Sequence, residues 1–247
     1  MAEIVYPPVI ATARALFKAL DLRIDVRGAE RVPRSGGAVL VSNHISYLDF
    51  IFVGYGAFPS RRLVRFMAKK EVFANPVSGP LMRAMHHIPV DRSAGAGAYG
   101  RAVADLRAGE VVGVFAEATI SRSFTIKDLK NGAVRMAATA EVPLIPVTVW
   151  GTQRMWTKGR PKRLTQRHIP ITIDLGEPLF PKPGQDLEEV TAGLRTLMAE
   201  RLEQVQRTYP DDGEGAWWQP AHLGGAAPTP EEAAALDAAE RRARRKA

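Results

Sequence analysis

The segment 42–50, SNHISYLDF, contains a histidine and a carboxylate, His44 and Asp49, with four residues between them. An imidazole with an ordinary pKa of about 6.5 suits proton abstraction from an alcohol near neutral pH. A carboxylate on its other ring nitrogen fixes the tautomer and stabilises the imidazolium. Such a pair fits acyl transfer to a hydroxyl. A plainer role exists for two of these residues. Ser46-x-x-Asp49 has the form of a capping box, with Ser46 capping a helix and Asp49 at its positive end. That role leaves His44 unexplained. A spacing of five does not share one face of a continuous helix, so pairing requires His44 to precede the helix and the chain to turn back on itself.

The elements around the pair are those of an α/β protein. The apolar run AVLV (38–41) leads straight into Asn43-His44 and reads as a buried strand, with a helix over 46–56. In open α/β sheets ligands gather beyond the carboxyl ends of strands, which is where His44 stands. Further strands are expected in LRIDVRG, RLVRFMA, HIPVD, EVVGVFAE, VPLIPVTVWG and HIPITIDLG. Helices are expected over VIATARALFKAL (9–20), PVSGPLMRAM, GAYGRAVADLRAG, NGAVRMAATAE and 186–208. This alternation predicts a mixed, largely parallel central sheet flanked by helices. The chain divides into an N-terminal amphipathic helix (1–22), the α/β domain (23–208) and a Gly/Pro-rich tail (209–247). The tail carries an alanine-rich helix ending in RRARRKA and reads as an exposed appendage. Trp217 and Trp218 either clamp it to the domain or sit in a membrane interface. The first helix either packs on the domain or lies on a bilayer.

The chain has 247 residues and no cysteine, which excludes disulfides, thiolate metal sites and a cysteine nucleophile. No Gly-x-Ser-x-Gly elbow offers a serine route. His86-His87 are adjacent, so on an extended chain they point apart, and no metal or cofactor is expected. The net charge of +8 suggests an anionic partner: a phosphorylated ligand, an anionic membrane or nucleic acid. Nucleic acid is set aside, because no RNA- or DNA-binding motif accompanies the charge. The N-terminus lacks the layout of a cleaved signal and no window suits a membrane span, so a cytoplasmic protein is expected.

Four blocks follow one another in a fixed order: NHISYLDF, then MAKKEVFANPVSGPLMRAMHHIPVDR, then VFAEATISRSF, then LKNG with VPLIPVTV. Over residues 35 to 150 this order resembles the glycerolipid acyltransferase family, whose best-known members are bacterial 1-acylglycerol-3-phosphate acyltransferases. The resemblance implies that His44 is the general base and Asp49 its orienting carboxylate. It implies that Arg92, in IPVDR, contacts the acceptor phosphate; a surface ion pair with Asp91 is the alternative. The family's Phe-Pro-Glu-Gly-Thr-Arg-Ser block falls on 115–121. Glu117, Thr119 and Ser121 match it, which implies substrate contacts for Glu117 and Thr119, although a turn role for Glu117 stays open. Ala118 replaces a glycine and Ile120 an arginine. Arg122, two residues on, and Lys130 are then candidates to supply the missing charge.

The expectation is direct transfer of a fatty acyl group from acyl-CoA or acyl-carrier protein to the sn-2 hydroxyl of lysophosphatidate, without a cofactor. Backbone N–H groups near the helix start are the expected oxyanion donors. The partners are the acyl donor, the lysophospholipid and an anionic membrane surface, with the protein peripherally attached to the inner face of the cell membrane. Three alternatives remain: another lipid alcohol as acceptor, glycerol phosphate as acceptor, or a catalytically lapsed lipid-binding module.

Overall fold

The structure is a computed structural model that describes residues 4–91 and 95–246. Seven strands form one sheet: β1 (Arg23–Arg27), β2 (Ala38–Ser42), β3 (Val64–Lys69), β4 (Ile88–Val90), β5 (Val111–Val114), β6 (Leu144–Trp150) and β7 (Pro170–Leu175). Their order is β1-β7-β6-β2-β5-β3-β4. β6, β2, β5, β3 and β4 run parallel, and β7 pairs antiparallel with β6. β1, at the edge, is parallel to β7, so these two strands run against the other five. This is the mixed, largely parallel sheet that the strand–helix alternation predicts.

Every residue of β2 and β6 is buried, as expected of strands covered on both faces. Side chains alternate across the sheet. Val39 and Val41 join the core under α5 (Gly95–Arg107), α6 (Gly132–Ala140) and α7 (Leu187–Arg207), where Leu106, Val134, Leu194 and Met198 pack. Leu40, Ile145 and Val147 face the other way, toward α1 (Tyr6–Ala19) and α2 (Asp49–Ala57), which contribute Phe17, Phe52 and Val53. Two short helices, α3 (Lys70–Ala74) and α4 (Ser78–Ala84), link β3 to β4. The sequence pattern predicts only the second of these; five residues are too few to show a helical period.

Helix α1 takes the first of its two readings: Tyr6 and Phe17, with Leu20 just past its end, are buried against the domain, although Leu16, expected on its apolar face, stays exposed. One expectation is corrected. The tail is not an appendage. Trp218 is buried and its ring meets Tyr209 edge-on at 5.5 Å, with the Arg154 guanidinium 4.6 Å above it. The last helix, α8 (Pro230–Lys246), buries Ala233 and Asp237 against the domain. The apparent solubility of an alanine-and-charge helix conceals one stripe that docks.

Candidate active site

β2, β5 and β6 are neighbours and parallel, so the loops after them meet above one edge of the sheet. The chain leaves β2 through Asn43, which is buried and acts as an extra rung of the ladder. Its Nδ2 donates to Val149 O (2.9 Å) and its Oδ1 accepts from Val149 N–H (2.8 Å). His44 follows on a tight turn before α2. Asp49, the first residue of α2, is fully buried and gathers this turn around itself. Its Oδ2 accepts from Ile45 N–H (2.7 Å), Ser46 N–H (2.8 Å) and the His44 Nδ1 side (3.0 Å). Its Oδ1 accepts from the Thr152 hydroxyl (2.6 Å), carried by the loop after β6. The chain therefore turns back as the spacing requires, and Asp49 bonds the ring at Nδ1. No described residue bonds Nε2.

The capping box is present in modified form. The carboxylate reaches back to Ser46 N–H, and Ser46 Oγ accepts from Leu48 N–H (3.0 Å), but the α-helix proper begins only at Asp49. Ser46 Oγ donates to Trp156 O at 2.7 Å. The Thr157 hydroxyl donates to Ile45 O at 2.6 Å. On the other side Ser121 N–H donates to His44 O (2.7 Å), and the His44 ring stacks on Phe115 with centroids 4.3 Å apart. The histidine turn is thus gripped from the loops after β5 and β6.

Glu117 is buried, and its oxygens accept from two backbone groups: His44 N–H (2.9 Å) and Lys127 N–H (3.1 Å). The substrate contact implied for it gives way to a bracing role, since both carboxylate oxygens are already engaged below the surface. Burial pushes its carboxyl up to about 8, against the pull of those two N–H bonds. The expected oxyanion donors are corrected as well. The N–H groups of His44, Ile45, Ser46, Tyr47 and Leu48 all have protein acceptors, namely Glu117, Asp49, Asp49, Trp156 O and Ser46 Oγ. None of these five is left for a substrate oxygen.

The remaining candidates are spread more widely. Ala118 has φ 58°, the left-handed conformation that glycine adopts freely, so the turn keeps its shape despite the side chain. Thr119 is half-buried on that turn, and Ile120 is buried. Lys130 is exposed, with its N–H bonded to Ala116 O at 3.0 Å. Arg122 is half-buried and already paired. Its guanidinium is held by Asp237 (3.1 Å) and Glu240 (3.0 Å) of α8. Arg92 lies outside the described residues, and Asp91, its alternative partner, bonds Lys70 at 2.7 Å. His87 is buried, and its Nδ1 accepts from Phe66 N–H at 3.0 Å. Burial, then the nearby charges of Arg65 and His86, lower its pKa to about 4.

Asn43, Thr152 and Thr157 escape sequence reasoning. The two threonines lie about a hundred residues from the atoms they bond, and nothing local marks them. Asn43 had a signal: a buried amide at a strand end needs a partner.

Comparison with known proteins agrees with this architecture. The family model described as Acyltransferase matches residues 23–150. A 1-acyl-sn-glycerol-3-phosphate acyltransferase of Bacillus subtilis is 30% identical over 202 residues, covering 78% of this chain and 94% of that one. The enzyme of the same name from Limnanthes douglasii is 32% identical over 157 residues, which span 60% of this chain and 53% of the plant protein. The crystal structure of the 1-acyl-sn-glycerophosphate acyltransferase PlsC from Thermotoga maritima superposes with a TM-score of 0.68 at 23% identity, covering 83% of this chain and 81% of that one, a likeness of fold. The matched segment contains β1 through β6 with His44, Asp49 and Glu117, and on it the chain belongs to the acyltransferase family.

Proposed function

We propose that the protein transfers a fatty acyl group from acyl-CoA or acyl-carrier protein to the sn-2 hydroxyl of lysophosphatidate, giving phosphatidate and the free thiol. The observation that carries this reading is the His44–Asp49 pair, with Nδ1 bonded to a fully buried carboxylate and Nε2 without a partner among the described residues. Nε2 takes the proton of the acceptor hydroxyl as its oxygen attacks the thioester carbonyl. Asp49 stabilises the imidazolium that forms. The tetrahedral intermediate collapses, the C–S bond breaks, and the thiolate leaves with the proton from His44. No acyl-enzyme is needed.

The names of the relatives supply the acceptor. Arg92, with help from Lys130 or Arg122, is assigned to its phosphate, and Thr119 to the rim of the site. Intact geometry at His44 favours an active enzyme over a lapsed lipid-binding module. Peripheral attachment to a membrane, assigned to its inner face, is supported by exposed Leu16 on α1 with Arg14 and Lys18, and by exposed Ile4 just before the helix. No helix among the described residues is long and apolar enough to cross a bilayer. The test is acyl-CoA-dependent thiol release with and without lysophosphatidate. Release that depends on lysophosphatidate and disappears in His44→Ala supports the reading. Release driven only by glycerol phosphate or a phosphate-free lipid alcohol replaces the acceptor.

A further inference from the structure

Three cations from two loops, those after β5 and β6, converge beside the histidine turn. Arg122 follows Ser121, whose N–H bonds His44 O. Lys127 is tied through its own N–H to Glu117, which also holds His44 N–H. Lys158 follows Thr157, which bonds Ile45 O. With α8 docked, side-chain exposure is 15% for Arg122, 31% for Lys127 and 14% for Lys158, so the helix shields the cluster from solvent. Like charges so close repel unless an anion sits among them.

Here the anion is the chain's own. Asp237 bonds all three cations: Arg122 Nε at 3.1 Å, Lys127 Nζ at 2.8 Å and Lys158 Nζ at 2.7 Å. Glu240, one turn on, bonds Arg122 at 3.0 Å and Lys158 at 2.7 Å. Burial would raise the Asp237 carboxyl, but the bonds from Lys127, Lys158 and Arg122 outweigh it and hold it well below the usual carboxylate range. The two carboxylates together carry a charge of −2, close to that of a phosphate monoester with its three strong acceptor oxygens. Yet α8 is otherwise lightly held. Along 231–243 only Ala233 and Asp237 are buried, and Leu236 is 46% exposed. The helix docks by one narrow stripe, 233–237–240, whose polar half is this ionic cluster.

We infer that Arg122, Lys127 and Lys158 form an anion site for a phosphate monoester next to the histidine turn, and that α8 fills it with Asp237 and Glu240 until such a group displaces them. The identification of the ester with the acceptor's headgroup rests on the proposed function; the site itself does not. Displacement exchanges one dianionic set of ligands for another, so a modest difference in affinity suffices to shift the helix.

The test follows hydrogen exchange of the α8 amides in the full-length protein. Inorganic phosphate, lysophosphatidate and monoacylglycerol are compared at ionic strength matched with chloride. Phosphate and lysophosphatidate are expected to speed exchange over 230–246 by about tenfold, the scale of one charge-assisted bond. Monoacylglycerol is expected to leave it unchanged. Asp237→Asn combined with Glu240→Gln should lower KM for lysophosphatidate by about tenfold and leave KM for acyl-CoA as it is, with circular dichroism and Tm reporting the fold. Arg122→Gln should remove the effect of phosphate on exchange. Exchange unmoved by saturating inorganic phosphate overturns the site, and the trio is then only an anchor for the tail. If phosphate releases α8 but only monoacylglycerol is acylated, the site stands and the lysophosphatidate reading falls. A double variant with released α8 and wild-type KM for lysophosphatidate separates the site from the acceptor.

Discussion

Replacing Asp49 with asparagine removes one charge from the centre of the histidine turn and keeps its shape. The amide oxygen can still accept from the N–H groups of Ile45 and Ser46, which lie 2.7 and 2.8 Å from Oδ2. The amide nitrogen then faces the Thr152 hydroxyl, now 2.6 Å from Oδ1, and that hydroxyl has to reverse and accept. Weakening one or two charge-assisted bonds in this way costs about 1–3 kcal/mol of stability. The kinetic cost is larger. An imidazolium bonded through Nδ1 at 3.0 Å loses its counter-charge. At a charge separation of roughly 4 Å and an effective dielectric of about 20, that attraction is about 4 kcal/mol, or about a thousandfold in rate. The assay is thiol release from acyl-CoA in the presence of lysophosphatidate, read with a thiol reagent. The chain has no cysteine, so the protein contributes no background. The expected result is kcat lowered by about a thousandfold, KM for both substrates little changed, and a cooperative melt. A folded Asp49→Asn protein turning over within threefold of wild type refutes the assignment of Asp49, and with it the dyad.

Glu117 is protonated up to about pH 8 when folded but only to about 4.3 when unfolded. It therefore makes stability fall as pH rises between those values, and Glu117→Gln should flatten that slope in Tm measured against pH. His87 has the opposite sense. Its folded pKa of about 4 against about 6.5 unfolded makes stability fall as pH drops through that window, and His87→Gln should shallow the acid limb of the same profile. At Gly113 an added Cβ would lie 2.5 Å from the Phe66 ring, so Gly113→Ala should cost about 1–3 kcal/mol in a denaturant titration. Phe66 stacks on Phe115, which stacks on His44, so turnover should drop in the same variant. Ala118→Gly should relieve the left-handed turn and keep or raise Tm slightly, with activity unchanged.

The sheet was legible because its strands announce themselves. AVLV, VVGV and LIPVTVW are short apolar runs bounded by turn residues, and each proves fully or largely buried. His44 and Asp49 were legible because both their types and their spacing are local. What holds them is not. Thr152 bonds Asp49 across 103 residues, and Asn43 bonds Val149 across 106. A threonine in a loop carries no mark of the carboxylate it will meet. The partner of Arg122 was hidden for a related reason. A cation near a block that resembles the family's suggests a ligand, but sequence does not show that an aspartate 115 residues away will reach it. The tail was misread on composition, since one buried aspartate in an alanine-rich helix does not change its average polarity.

The same distances fix when the site can come into being. A chain emerging from the ribosome carries His44 and Asp49 early, but a fragment ending before β6 lacks Val149, Thr152 and Thr157. Asn43 then has no rung to join, and the buried side of Asp49 has no hydroxyl. Residues 43–49 are left with only their mutual bonds and those from the loop after β5. The histidine turn is thus a late product of folding, assembled by contacts of high sequence separation, which form slowly. α8 follows all three of its cations in the chain and docks only after they are in place, so its arrival marks a chain whose active site has already closed.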